Sequence, residues 1–244
     1  MQIFVLSADA RESAEMHCKK HSGKMILEAV QMLYTAMHIL GLETPLCAAD
    51  DPSRFLTPYK PTHRHHPCVL WLCGARAHVD WLIALALSLG RFCPKHKSLE
   101  HVRAMKHAKC FAQLPDTCTT LEWEEQLRNL HISEKSITSC MSRVASINPP
   151  MGCKFGVVCI DIDDEFKRDI FVSINGTTDL TATYKRFYVY KAKFKFFMEW
   201  HNQGSNPPCA FGDLFDRVFP DLPLLKNEVV AKKRDREAFE SDAA

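Results

Sequence analysis

No excess of charge of one sign is present: 31 Lys and Arg stand against 29 Asp and Glu in 244 residues, a formal charge of +2. So balanced a chain contacts nucleic acid only through a local patch, not through its overall field. No long apolar run is present either. The most apolar stretch, Val79 to Leu89, reaches about half of the roughly 20 residues that span a bilayer, so no membrane partner is expected. Internal repeats are absent, which excludes a repeat array. The opening Met-Gln-Ile-Phe-Val-Leu-Ser-Ala-Asp lacks a basic segment and meets an acid at Asp9, so it does not read as a signal peptide. Eleven cysteines occur without any CxxC, their number is odd, and the chain is far longer than disulfide-dense modules. That pattern fits a reducing intracellular compartment rather than a stapled secreted scaffold.

What is there is 46% apolar and 25% charged residues, ordinary usage for a soluble globular chain with a sizeable core. The expected fold is mainly α: a compact helical domain over residues 1–225 with a short N-terminal strand or arm at 2–6 and a small β-hairpin. Residues 226–244, charged and poor in apolar side chains, are expected to be disordered. Asp9 followed by Glu12 predicts a capped helix running to Gly41. Four prolines between 42 and 66 predict a loop, Pro67 starts one helix or two broken near Gly74, and Ser98 starts another to Cys110. Short helices are expected within 119–145, a hairpin from 156–161 and 169–174 joined by Asp163-Asp164-Glu165, and a last helix from Asp179 to about His201. Trp71 and Trp81 read as core residues.

Histidine is the unusual residue, at 12. On the first helix His17, His21, Lys24, Glu28, Gln31, Thr35 and His38 recur in steps of four and three, which places them on one face opposite Met25, Ile26, Ala29, Met32, Leu33, Ala36 and Leu40. A solvated face is the plain alternative, but such faces are usually Lys/Glu mixtures, and three histidines with Gln and Thr suit hydrogen bonding to something specific. The loop Tyr59-Lys60-Pro61-Thr62-His63-Arg64-His65-His66-Pro67 adds three histidines and two cations directly before a helix. Lys60, His63, Arg64, His65 and His66, with Gln31 and His38, are therefore candidates for holding phosphate, an exposed basic turn being the alternative.

His17 and His21 have the i, i+4 spacing of a helical metal pair, with His63, His65 or His66 as a third ligand, so zinc or another divalent metal is one reading. Lys24 opposes it, since a protonated amine about 6 Å from a divalent ion costs on the order of 5 kcal/mol at an effective dielectric of 20. The same cluster favours a phosphate group, or a lysine nucleophile with Glu28 as its carboxylate, and then no metal is needed. The last helix, Tyr184 through Lys195, interleaves cations with aromatics and carries no acid. Lys185, Arg186, Lys191 and Lys193 are accordingly candidate contacts to a nucleic-acid backbone, or else the outer face of a core helix.

The segment His17-Cys18-Lys19-Lys20-His21-Ser22-Gly23-Lys24-Met25 with Glu28, Gln31, Thr35 and His38 resembles a family of unassigned activity carried by tailed phages and large DNA viruses. The resemblance continues through Tyr59 to Pro67, Trp71, Lys95-His96-Lys97-Ser98, Leu114-Pro115-Asp116, Tyr184 to Lys191, Phe194 and Trp200. It implies that residues 119–176 are an insertion whose deletion leaves a compact helical core, and that the compartment is that of an infected host cell. That family is in turn distantly similar to the pyrimidine-dimer DNA glycosylases, small helical enzymes that form a Schiff base through an N-terminal amine assisted by a Glu on the first helix. Here Gln occupies position 2 and Lys24 falls where that Glu would stand, with Glu28 one turn on. The resemblance implies a viral DNA-processing enzyme of base-excision type, with Lys24, Glu28, His17 and His21 as the catalytic group and DNA or a nucleotide as substrate. A metal-dependent hydrolase of nucleotides or phosphoesters and a non-catalytic DNA-binding protein are the alternatives.

Overall fold

Asp9 Oδ1 accepts from the backbone N–H groups of Arg11 and Glu12, both at 2.9 Å. This cap, worth about 1 kcal/mol, starts α1 (Ala10–Met16) as the sequence predicts. The structure, a computed structural model, describes residues 2–42, 45–146, 156–160, 162–174, 176–195, 198–201, 204, 207–221 and 224. The long helix predicted to Gly41 is two helices, because the chain turns extended at His17 and Cys18 (ψ 136° and 157°) before α2 (Lys19–Ile39) begins. Neither residue is a helix breaker, and the break is made from outside. Trp200 pairs with Cys18 in an isolated antiparallel bridge and donates its indole N–H to the Met16 carbonyl at 3.1 Å, while Lys19 N donates to the Glu199 carbonyl at 2.7 Å. These contacts satisfy backbone groups that helix ends leave open.

The apolar side of α2 buries Met25, Ile26, Ala29, Met32, Leu33 and Ala36 against α3 (Pro67–Leu72), α4 (Arg76–Leu89) and α5 (Ser98–His107). The run from Pro67 does break at Gly74. A Cβ on that glycine would lie 2.9 Å from the Trp123 ring, so the residue permits a close approach that no other side chain could. Trp71 and Trp81 are core residues, as expected. The arm Gln2–Leu6 joins neither a helix nor a ladder, and its Ile3, Phe4, Val5 and Leu6 are all buried, each contributing about 1.5–3 kcal/mol of apolar burial.

The described residues of 119–176 are not an appendage on this core. They form α6 (Thr120–Asn129), α7 (Glu134–Met141), β3 (Val144–Ala145), β4 (Gly156–Val157), α8 (Asp164–Ile170) and β5 (Ser173–Ile174). Trp123, Leu127, Ile137, Cys140 and Ile170 have no exposed surface, and Trp123 donates its indole N–H to the Leu70 carbonyl at 2.9 Å. A small hairpin is present but with different partners from those expected. β3 pairs with β4, and β5 with β6 (Thr177–Thr178), all antiparallel, as are β1 (Leu46–Cys47) and β2 (Phe55–Leu56). Asp163-Asp164-Glu165 opens α8 instead of turning a hairpin; acids complement the positive end of a helix, which competes with their use in a turn.

Asp179 Oδ1 accepts from Ala182 N at 2.8 Å and caps α9 (Leu180–Tyr190), which runs into a π-helical turn over Lys191–Lys195 instead of reaching His201. A short α10 (Leu214–Arg217) follows. The mainly helical architecture with small hairpins is therefore as the sequence indicates. Among the described residues no helix is long and apolar enough to cross a membrane. The tail 226–244 lies outside the described residues.

Candidate functional site

The N-terminal arm, α2, the start of α3, the end of α7, the 159–160 segment and α9 enclose a cleft of about 540 Å³. Its charged lining is Lys24, Arg143 and Lys191 facing Glu28, the one carboxylate among the described lining residues, with His66 and Cys159 beside them. Glu28 is held from two sides: Gln2 N donates to its Oε2 at 3.0 Å, and Lys24 Nζ stands 3.6 Å from its Oε1. The Glu28 side chain is 12% exposed, whereas that of Lys24 is 64% exposed. Lys191 Nζ lies 5.4 Å over the Phe4 ring and 4.9 Å over the Phe187 ring. Burial lowers its ammonium below the usual lysine value, and the Lys24 charge acts in the same direction. Lys191, from the far end of the sequence, is thus the more buried of the two cleft lysines, while Lys24 is the solvated ion-pair partner.

His17 and His21 do not line this cleft. The break before α2 takes His17 off the stripe, so it is fully buried at the end of α1. Its Nδ1 donates to the Ser13 carbonyl at 2.6 Å, leaving Nε2 as a buried acceptor with no hydrogen-bond partner among the described residues. Burial lowers its pKa to about 4. His21 pairs through Nδ1 with the Tyr188 hydroxyl at 2.7 Å and stacks on Phe4, ring centroids 4.8 Å apart; burial, with the Lys191 charge second, lowers its pKa to about 2. Phe4 lines the cleft and carries His21 on its ring, which makes the histidines supports of the arm. As a metal pair they gain no third ligand among the described residues.

The 59–66 loop rests on α2 at Thr35 and Tyr34. Thr62 N donates to Thr35 Oγ1 at 3.1 Å, and Tyr59 stacks on Tyr34 at 5.9 Å. Of the loop's candidates only His66 reaches the cleft. Lys60, His63, Arg64 and His65 are exposed, with His65 Nδ1 3.2 Å from Ser136 Oγ. Gln31 is half-buried and His38 exposed, and neither lines the cleft. The expected anion cradle at the head of α3 is closed by the loop itself, since His66 Nδ1 accepts from Cys68 N at 3.2 Å.

The four cations of the last helix do not share a face. Lys185 donates to the Ala210 carbonyl at 3.2 Å and Arg186 to that of Asp169 at 2.9 Å. Lys193 is buried and donates to the Phe219 carbonyl at 2.7 Å, so of these four cations it is Lys191 that lines the cleft. Three of the four therefore tether neighbouring backbone.

Arg143, Cys68 and Cys159 were not singled out by spacing. Cys68 and Cys159 are 91 residues apart, and the absence of CxxC hid them; the one local signal was Cys68 two positions after His66. His66, Cys68 and Cys159 each offer a ligand atom within 4.8 Å of the others, so this group could hold a metal ion. Cys68 donates to Cys159 Sγ at 3.8 Å. That bond, with burial, pushes the Cys68 thiol well up, and the same bond, aided by the Arg143 charge, holds Cys159 below the usual thiol value. No protein-family model, curated protein or solved structure matches the chain.

Proposed function

We propose that the protein processes DNA or a nucleotide in this cleft by amine and carboxylate chemistry of base-excision type, with Lys191 as the amine, Glu28 as the carboxylate, and Lys24 and Arg143 holding phosphate. The observation that carries the reading is the placement of Lys191 and Glu28 in one cleft whose remaining full charges are cationic. A neutral amine attacks C1′ of a nucleotide as the C1′–N bond to the base breaks with its electron pair, and a carboxylate alongside passes the amine's proton to the departing base; the lone pair left on nitrogen then opens the C1′–O4′ bond, the second amine proton goes to O4′, and an imine remains. Both groups require what the cleft supplies. Partial burial of Lys191 and the neighbouring Lys24 charge lower its pKa toward the neutral amine, the rings of Phe4 and Phe187 position its Nζ while favouring the cation, and the exposed cation of Lys24 suits a solvated phosphate.

The roles differ from those expected of the stripe. Lys24 moves from nucleophile to phosphate contact because it is largely solvated and paired with Glu28, while His17 and His21 become positioning residues behind Phe4. Borohydride trapping on DNA carrying pyrimidine dimers or abasic sites tests the assignment. The expected result is a covalent adduct mapped to Lys191, lost in Lys191→Arg, which keeps the charge, and reduced at least tenfold in Glu28→Gln. Lys24→Arg should retain the adduct with weaker binding. An adduct undiminished in Lys191→Arg, or none on any of these substrates at low salt, would overturn the reading.

A further inference from the structure

The geometry points to a metal centre at His66, Cys68 and Cys159: a thiophilic divalent cation of the zinc class, held by two sulfurs and one imidazole nitrogen, with its fourth position open to the cleft. This goes beyond the amine reading and does not depend on it.

The spacing of the sulfurs is the first argument. Two thiolates on a tetrahedral ion with bonds of about 2.3 Å stand about 3.8 Å apart, and Cys68 Sγ and Cys159 Sγ are 3.8 Å apart. A disulfide would need about 2.05 Å. A ring nitrogen of His66 completes a triangle in which all ligand atoms lie within 4.8 Å of one another. Two sulfurs and an imidazole select zinc-like ions over magnesium or calcium, which take oxygen. Two thiolates also neutralise the ion, so it adds no net charge beside Lys24, Arg143 and Lys191.

The second argument is that both halves of the site are positioned by contacts other than the metal. His66 caps α3 and Cys68 sits on its first turn, fully in the core. Cys159 is fixed along its backbone: its N–H donates to the Tyr184 hydroxyl at 3.2 Å, and its carbonyl accepts from the Gln2 side-chain amide. Gln2 also donates its backbone N–H to Glu28, so a single residue links the sulfur-bearing segment to the cleft carboxylate.

The third concerns the open position. Structural zinc sites carry four protein ligands, and sites that exchange a water or substrate carry three. Among the described residues no fourth ligand joins the group: the Cys140 Sγ is directed to the Pro67 carbonyl at 3.8 Å and does not belong to it. His66 and Cys159 line the cleft, so the remaining position faces the side on which Glu28 lies.

Titration of the reduced full-length protein with cobalt(II) reads the site directly. One equivalent should give thiolate-to-cobalt charge-transfer absorption and the visible bands of a tetrahedral ion, both removed by added zinc. Cys159→Ser and His66→Gln should each weaken zinc binding by more than about 100-fold, the upper end of what a merely supporting contact costs. Circular dichroism of each variant separates loss of ligand from loss of fold, and half-exposed His66 is the safer of the two. Cys140→Ser should leave the cobalt spectrum unchanged, and azide should perturb it. Absence of thiolate bands in the wild type, or a Cys68–Cys159 disulfide that leaves the protein unable to bind cobalt even after reduction, would overturn the metal centre. Loss of charge-transfer intensity in Cys140→Ser, or indifference to azide, would overturn its open position. Borohydride trapping is insensitive to these outcomes, so the two proposals fail separately.

Discussion

Gln2 and Glu28 are joined across 26 residues by a hydrogen bond from the Gln2 backbone N–H to Glu28 Oε2 at 3.0 Å. The carboxylate of the cleft is thereby fixed by backbone and not by a mobile side chain, and the arm that supplies this bond is buried along Ile3 to Leu6. Glu28→Ala leaves that N–H without its charged acceptor, a loss of about 1.5–3 kcal/mol. Lys24→Met should change stability by less than about 1 kcal/mol, because its ion pair is solvent-screened on the lysine side. Urea unfolding of the two variants checks the asymmetry; equal effects would mean that the ion pair, not the arm, holds Glu28.

Removal of residues 119–176 should abolish cooperative unfolding. Trp123, Ile137 and Cys140 are fully buried in the core that α3 and α4 share, so their loss opens apolar surface on both helices. Trp123→Ala alone should cost about 3–5 kcal/mol. A deletion variant with a sharp thermal transition would show the segment to be dispensable after all.

Stability should fall as pH drops from about 6.5 toward 4. Burial lowers His17 from 6.5 to about 4, so in that window the unfolded chain binds a proton that the folded protein refuses. The contribution of this one group is about 3 kcal/mol, present in full above pH 6.5 and lost on acidification; His21 acts in the same direction. His17→Gln should flatten the difference in unfolding free energy between pH 7 and pH 4.5. An unchanged slope would remove His17 from the acid response.

Trp200→Phe should cost about 1 kcal/mol for the hydrogen bond to Met16, while Trp200→Ala adds the loss of a fully buried ring, for a total of about 3–5 kcal/mol. Hydrogen exchange at the start of α2 should rise in both. Protection unchanged at Lys19 to Ser22 would mean that the break stands without the indole.

The sequence by itself determined the helices with local signals. The Asp9 cap, Pro67 at the head of α3, the Asp179 cap and the 3.6-residue periodicity of α2 are all interactions within a few residues, so the mainly helical class and the core placement of Trp71 and Trp81 were legible. What only the tertiary structure decided lies between distant segments. The interruption at His17 and Cys18 is imposed by Trp200 and Glu199, and it takes His17 out of a stripe that periodicity alone would keep whole. Lys191 reaches the cleft because α9 packs behind the arm, and Cys68 meets Cys159 because the described part of the 119–176 segment folds into the core. Neither approach leaves a local trace: a side chain's pKa and its partners are set by what surrounds it in space, and spacing along the chain carries that information only within one element.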